Sequence, residues 1–396
     1  MNNLFLKDRK YILNVYNRLN LEISYGKGSY LYDKENNRYL DMFSGLSVNS
    51  FGHNNKDIVS TISSQSAKYI HISNFFAAEP TVKLAENLIS KTNFNKIFFS
   101  NSGTEAIEGA IKLCRQFGKH NRKNKYKLLS ATNSFHGRTF GGLSLTGQKK
   151  FHEGFEPILP GIDHFKYNDI EDLIKKCDEN VCGVFIEVIQ GEGGITEISE
   201  EFINELKKLS NKYNFLIVID EIQTGLGRTG EFLAYKHYNI EPDIVCLSKS
   251  LGGGLPLGAI LLNDKTKDIL KPGQHGSTFG GNPVACAVGN VIVNKLNNEF
   301  LSEVAYKSDY LKRNLLNLQE KYPKIINEIR GKGLMLGIEC GKYAQTIKHL
   351  AINNNLLLNV TKSTVIRLLP PLNIALDEID SFLDIFDNIL NEINKG

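Results

Sequence analysis

Two short apolar runs end in residues that could serve one ligand: Phe215-Leu-Ile-Val-Ile-Asp220 closes on an acid, and Ile244-Val-Cys-Leu-Ser-Lys249 on an amine. In an open α/β sheet the carboxyl ends of parallel strands line one crevice, so this acid and this amine can face the same molecule. A ligand that uses both is pyridoxal phosphate. Its ring nitrogen stays protonated beside a carboxylate, and its aldehyde condenses with a lysine amine. A lysine after a strand is commonly a solvated surface residue. Here Gly252, Gly253 and Gly254 follow, and glycine lets backbone approach a ligand closely.

Other nucleotide-binding patterns lack the context they need. An apolar run ending in Asp220-Glu221 also describes the magnesium strand of a P-loop ATPase, which requires Gly-Lys followed by Ser or Thr. Gly-Lys pairs at 26, 118, 331 and 341 are followed by Gly28, His120, Gly333 and Tyr343. Gly225-Leu-Gly227-Arg-Thr-Gly230 spells a dinucleotide fingerprint, but Asp220 precedes its glycines and the next apolar run begins rather than ends in an acid.

Ile97-Phe-Phe-Ser-Asn-Ser102-Gly103-Thr104-Glu105 runs from a strand through a turn into a helix, with Ser102 and Glu105 spaced as a capping box. Free amides at a helix N-terminus and its positive dipole end bind phosphate, so Gly103 and Thr104 are phosphate candidates. The same pattern also describes a helix that is merely well capped. Phe135-His136-Gly137-Arg138 follows the run Lys127 to Ser130; Phe135 could cover a flat ring, and Arg138 has the fork that suits a carboxylate. Phe135 could equally be core. His136 is read as a structural histidine.

The elements that must hold these residues follow from the alternation between about 55 and 280. Helical periodicity at Ala106 to Arg115 and Glu200 to Lys212 alternates with apolar runs at Ile97 to Phe99, Lys127 to Ser130, Val181 to Ile186, Phe215 to Ile219 and Ile244 to Leu247. This predicts an α/β fold with a mainly parallel sheet wrapped by helices. Residues 1–50 contain an expected hairpin, 51–282 form the large domain, and 283–396 a smaller α+β domain ending in an amphipathic helix from Leu376 to Ile393. With 396 residues, two lobes are expected. A net charge of +4 from 47 basic and 43 acidic residues, well interleaved, points away from nucleic acid. Six cysteines form no C-x-x-C pair and, with nine histidines, no zinc spacing. Reduced thiols suit the cytosol, and neither a signal peptide nor a membrane-spanning run is read, so a cytoplasmic protein is expected.

In order along the chain stand Tyr16-Asn-Arg, Gly26-Lys-Gly28, Asn49-Ser-Phe-Gly-His53, Asn101-Ser-Gly-Thr-Glu-Ala106, Ser134-Phe-His-Gly-Arg-Thr139, Gln190-Gly-Glu-Gly-Gly194, Asp220-Glu-Ile-Gln-Thr-Gly225, Ser248-Lys249, His275-Gly-Ser-Thr-Phe-Gly-Gly-Asn-Pro283 and Arg367-Leu-Leu-Pro-Pro371. The series strongly resembles the class III pyridoxal-phosphate-dependent aminotransferases, and within them the acetylornithine aminotransferases, over nearly the whole chain. The resemblance implies the fold-type-I transferase architecture, with the smaller lobe formed by the two chain ends. It implies that Lys249 holds the cofactor's aldehyde, Asp220 its ring nitrogen, Gln223 its hydroxyl side, Phe135 its ring face, and Ser102, Gly103 and Thr104 its phosphate. Thr278 would reach the phosphate in a neighbouring subunit, so a homodimer with shared sites is implied. Tyr16, Arg138, Ser277, Glu192 and Arg367 match substrate positions, the last two as a pair that separates when 2-oxoglutarate arrives. No metal is expected. The implied reaction moves the δ-amino group of N2-acetyl-L-ornithine to 2-oxoglutarate in arginine biosynthesis, with 4-aminobutyrate, ornithine or succinyl-diaminopimelate as alternative donors. Gly45 stands where ornithine-specific relatives carry a Tyr, leaving room for an acylated amine.

Overall fold

The computed structural model describes residues 3–395; Met1, Asn2 and Gly396, at the ends of the expected N- and C-terminal segments, lie outside the described residues. Its central sheet runs in the order Lys96–Ser100, Gly258–Leu262, Ile244–Leu247, Leu216–Asp220, Val181–Ile186, Lys127–Ala131, Ile162–Phe165. Only Gly258–Leu262 is antiparallel to its neighbours. The four strands from 244–247 to 127–131 pair in parallel, as does the 162–165 edge. Val181–Ile186, Leu216–Asp220, Ile244–Leu247 and Gly258–Leu262 are buried along their whole length, as sheets covered on both faces require. One cover is the helix Gly103–Asn121, which buries Ala106, Ala110, Leu113, Cys114 and Phe117. The opposite face merges into a large apolar core reaching the chain ends.

The two chain ends share sheets. The expected hairpin forms from Tyr30–Asp33 and Arg38–Asp41, turned at Asn36 and fastened by the Asn37 amide donating to Asp33 Oδ1 at 2.8 Å. Leu356–Leu357 then pairs in parallel with Arg38–Asp41. A second, antiparallel sheet of Glu328–Lys332, Met335–Glu339, Val365–Leu368 and Asn359–Thr361 carries Arg367 on its third strand. The last amphipathic helix spans Leu376–Lys395 and buries Ile379, Phe382, Phe386, Ile389 and Leu390.

Between these sheets lies a turn the residue types do not announce. Ser44, Gly45, Leu46 and Ser47 all have positive φ (43°, 63°, 62° and 69°), so the helical turn Ser44–Ser47 is left-handed. Left-handed backbone costs about 1–2 kcal/mol for each non-glycine residue, so other bonds must impose it. Asp41 Oδ1 accepts from the amides of Phe43 and Ser44, and the Ser44 hydroxyl donates to the Leu369 carbonyl at 2.7 Å. Among the described residues no helix is long and apolar enough to cross a membrane, and no group of three or more His, Cys, Asp or Glu is placed to hold a metal ion. All six cysteines are free and buried.

Candidate active site

The central sheet delivers its candidates along one edge. Lys96–Ser100 leads into the helix at Gly103, Ile244–Leu247 into Lys249, Leu216–Asp220 ends on Asp220, Val181–Ile186 precedes Glu187, and Lys127–Ala131 leads to Phe135. They converge on a cavity of about 280 Å³ lined by Gly103, Thr104, Phe135 to Arg138, Glu187, Glu192, Asp220, Ile222, Gln223, Ser248 and Lys249. Of the residues proposed from sequence, Lys249, Asp220, Gly103, Thr104, Phe135, Gln223, Arg138 and Glu192 therefore meet in one place.

Lys249 has φ 44°, rare for a residue with a side chain, and starts the short helical turn Lys249–Gly252. Non-glycine residues held in this region cluster at functional sites because the surroundings must enforce them. Burial, then the nearby Arg367 guanidinium, lower its amine to about 8 against an ordinary 10.5. The ammonium forms no hydrogen bond or ion pair with the described residues, so this amine is held ready to lose its proton.

Asp220 is buried, with Oδ1 accepting from the Ile222 amide at 3.0 Å and Oδ2 at 2.8 Å from His136 Nδ1. His136, read from sequence as a structural histidine, is buried on Asp220 and also lines the cavity. Its burial favours the neutral imidazole, but the bond to Asp220 overcomes this and raises its pKa. Glu187 was not anticipated as a site residue, although it follows a buried strand just as Asp220 ends one. Burial pushes its carboxyl up to about 7, and it accepts from the amides of Phe135 at 3.1 Å and Gly191 at 3.4 Å.

The phosphate candidates are built as a helix start. Ser102 Oγ accepts from the Glu105 amide at 3.3 Å, and Glu105 reaches back to the amide of Asn101 at 2.9 Å, one residue before the cap. Ser102 supports the cradle from outside the cavity lining. Thr104 Oγ1 lies 2.8 Å from Thr139 Oγ1. A Cβ on Gly103 would come within 2.6 Å of Ile222, which explains the glycine.

Arg367 Nη1 donates to Glu192 Oε1 at 2.7 Å and to Gln223 Oε1 at 3.2 Å, while Nε and Nη2 clasp Asn359 Oδ1 at 3.0 and 2.7 Å. Burial alone would raise the Glu192 carboxyl; Arg367 outweighs it and holds it below the usual value. Asn359 is the register partner of Arg367, a relation sequence spacing does not reveal. Arg138 stands exposed over Phe151, 4.0 Å from the ring centroid, and 5.6 Å from that of Phe135.

Four candidates sit elsewhere. Tyr16 is 67% exposed on the N-terminal segment. Ser277 Oγ accepts from Asn101 Nδ2 at 3.0 Å, and Thr278 is exposed beside Phe279; neither lines the cavity. Gly45 is exposed and does not line it either.

A helix N-terminus for an anion, a buried carboxylate for a protonated ring nitrogen and a readily deprotonated amine for a carbonyl carbon are the donor set pyridoxal phosphate requires. A family model described as aminotransferase class-III matches residues 12–390. The acetylornithine aminotransferase of Aquifex aeolicus is 44% identical over 381 residues, 96% of this chain and 100% of the relative. That of Caldanaerobacter subterraneus is 45% identical over 391 residues, 98% of each. Among solved structures, the ornithine aminotransferase from Toxoplasma gondii ME49 matches with TM-score 0.94 at 29% identity, covering 99% of this chain and 95% of that one. The N-acetylornithine aminotransferase from Stenotrophomonas maltophilia K279a gives 0.84 at 30% identity, covering 96% and 98%. With that match, the chain belongs to the class-III aminotransferases and is a pyridoxal-phosphate-dependent transaminase.

Proposed function

We propose that the enzyme transfers the δ-amino group of N2-acetyl-L-ornithine to 2-oxoglutarate, giving N-acetyl-L-glutamate 5-semialdehyde and L-glutamate, a step of arginine biosynthesis. The observation that carries this reading is the Arg367–Glu192 pair, whose Glu192 lines the Lys249 cavity with Arg367 buried behind it. The donor reacts through a terminal amine, with its own carboxylate several carbons away. 2-Oxoglutarate reacts at its keto carbon and brings a carboxylate close to it. Arg367 paired with Glu192 offers no free cation to the first substrate; with Glu192 swung aside it offers a fork to the second. The Glu192 side chain is 33% exposed against 2% for Arg367, so Glu192 is the partner with room to move. The donor's identity is supported by the names of the curated relatives. The ornithine enzymes resemble this fold closely but at lower sequence identity, and fold does not choose the substrate.

When bound, pyridoxal phosphate supplies an electron sink for the carbanion formed on loss of a proton from the amine-bearing carbon. Gly103 and Thr104 would hold its phosphate, Asp220 with His136 behind it would keep the ring nitrogen protonated, Gln223 would serve the hydroxyl side, and Phe135 the ring face. Lys249 Nζ, uncharged near neutrality more readily than an ordinary lysine, takes the proton from the donor's δ-carbon. Arg138, which lines the cavity, would receive the donor's carboxylate. Thr278, with exposed Phe279 (59%), Phe75 (94%) and Phe76 (69%) on the same molecule, supports a homodimer in which this segment completes the partner's site. The lobes divide as 51–282 against 1–50 with 283–396.

The test is a donor panel assayed with 2-oxoglutarate by glutamate formation. Acetylornithine is expected to exceed ornithine, 4-aminobutyrate and succinyl-diaminopimelate in kcat/KM by about tenfold or more, a discrimination of about 1.4 kcal/mol. A higher value for any other donor overturns the assignment of acetylornithine.

A further inference from the structure

Arg228 lies eight residues beyond Asp220 and is 1% exposed, yet among the described residues no carboxylate pairs with it. Burial lowers its guanidinium to about 9, and no acid offsets that. A buried charge without a counter-ion is expensive, so what it holds in place matters. Nε donates to Ser47 Oγ at 2.9 Å, Nη2 to Ser50 Oγ at 3.2 Å, and Nη1 to the carbonyls of Leu334 at 3.0 Å and Pro370 at 2.6 Å. The planar fork therefore fixes three segments against one another.

Two of those segments border the reaction. Ser47 closes the left-handed turn Ser44–Ser47, and that turn packs on Lys249–Gly252. Pro370 continues the strand Val365–Leu368 that carries Arg367. The turn and this strand end are also tied directly, through the Ser44 hydroxyl on the Leu369 carbonyl and the Leu369 amide on the Met42 carbonyl at 2.8 Å. A strained turn of this kind persists only while its surroundings impose it.

We infer that Arg228 is a positioning residue: by pinning the left-handed turn and the end of the Arg367 strand together, it sets the distance between Lys249 and Arg367. This rests on the reading that Arg367 receives the acceptor's second carboxylate. Arg228 touches neither substrate nor cofactor.

The test uses purified holoenzyme of Arg228→Lys, which keeps the charge and loses the fork. Arg367 lies near enough to Lys249 to favour its uncharged form, so retreat of the Arg367 strand raises the pH midpoint of the Lys249–cofactor absorbance band. A rise of about half a pH unit, a threefold change in the proton equilibrium, is expected, together with about a tenfold rise in KM for 2-oxoglutarate and less than about a threefold change in KM for the donor. A folded variant whose midpoint coincides with wild type overturns the inference, whatever happens to turnover. So does an equal rise in both KM values. Should Arg228→Lys not fold, Ser47→Ala removes one acceptor while leaving the charge, and a smaller rise in the midpoint is expected; no rise overturns the inference. If the wild-type enzyme does not use 2-oxoglutarate, the functional reading fails separately, and the midpoint, measured without any substrate, still decides the role of Arg228.

Discussion

Lys249 joins a left-handed backbone to a buried ammonium with no direct partner among the described residues, and both features have measurable consequences. In cofactor-free protein, lowering the amine from 10.5 to about 8 makes the charged form cost about 3 kcal/mol. Below pH 8 the lysine is charged in both folded and unfolded chains, and the penalty is present in full. Between pH 8 and about 10.5 the folded chain has released its proton while the unfolded chain still holds one, so stability rises with pH. Lys249→Met should therefore be more stable than wild type at pH 7 by up to about 3 kcal/mol in denaturant unfolding, with the difference closing toward pH 10. A pH-independent difference would contradict the burial argument. The same variant, reconstituted with cofactor, should lose about a thousandfold or more in kcat and lose the borohydride-fixed adduct. An adduct that survives would mean another lysine forms it. Asp220 and Lys249 were legible from sequence because each ends an apolar run. Glu187 has the same signature, and only the burial of its carboxyl against Phe135 and Gly191 distinguishes it from a surface acid.

The helix Gly103–Asn121 packs into the core and, on the proposed assignment, also binds the cofactor's anion at its first turn, so its cap would serve both. Ser102→Ala removes the acceptor for the Glu105 amide and should cost about 1 kcal/mol in denaturant unfolding of the cofactor-free protein. Because the cap also orients the amides of Gly103 and Thr104, cofactor affinity should fall alongside stability. A stability loss with unchanged affinity would separate the cap from the cradle. Five strands of the central sheet were legible because each carries a short apolar run. Ile162–Phe165 was not read: an edge strand containing Asp163 and His164 has no such run. Nor was Gly258–Leu262, whose apolar residues follow a glycine-rich loop closely. The Ser44–Ser47 turn lay beyond sequence reading for a physical reason. Leu46 and Ser47 do not favour positive φ, and the turn is held there by the Ser44 hydroxyl donating to the Leu369 carbonyl and by Arg228 donating to Ser47 Oγ.

At the scale of the molecule, the sites left over after the cavity is described lie on exposed surface. Thr278 and Phe279 share a small pocket with His71, Asn74 and Phe76, well apart from the Lys249 cavity lining. If this surface is the homodimer interface, sedimentation velocity of wild type should give twice the chain mass, and Phe279→Glu should give monomers that retain little cofactor. Monomeric wild type with full cofactor occupancy would refute the shared site. From sequence, the dimer is proposed only through the family resemblance, since burial of Thr278 by another chain would leave no mark on its own spacing.

The antiparallel strand of the central sheet, Gly258–Leu262, has a consequence of length. It separates Lys96–Ser100 from Ile244–Leu247, so the helix start at Gly103 and the amine-bearing turn at Lys249 stand two strand spacings apart, about 10 Å. Gly258 pairs with Ser100 at that edge, where a Cβ would collide with Ser100 and Ser102 and force the gap wider. With Gly103 proposed to take the phosphate and Lys249 the aldehyde, the sheet would act as a ruler: a phosphate without an aldehyde, or an aldehyde without a phosphate, would touch one end of it, and only a molecule of the right span would engage both.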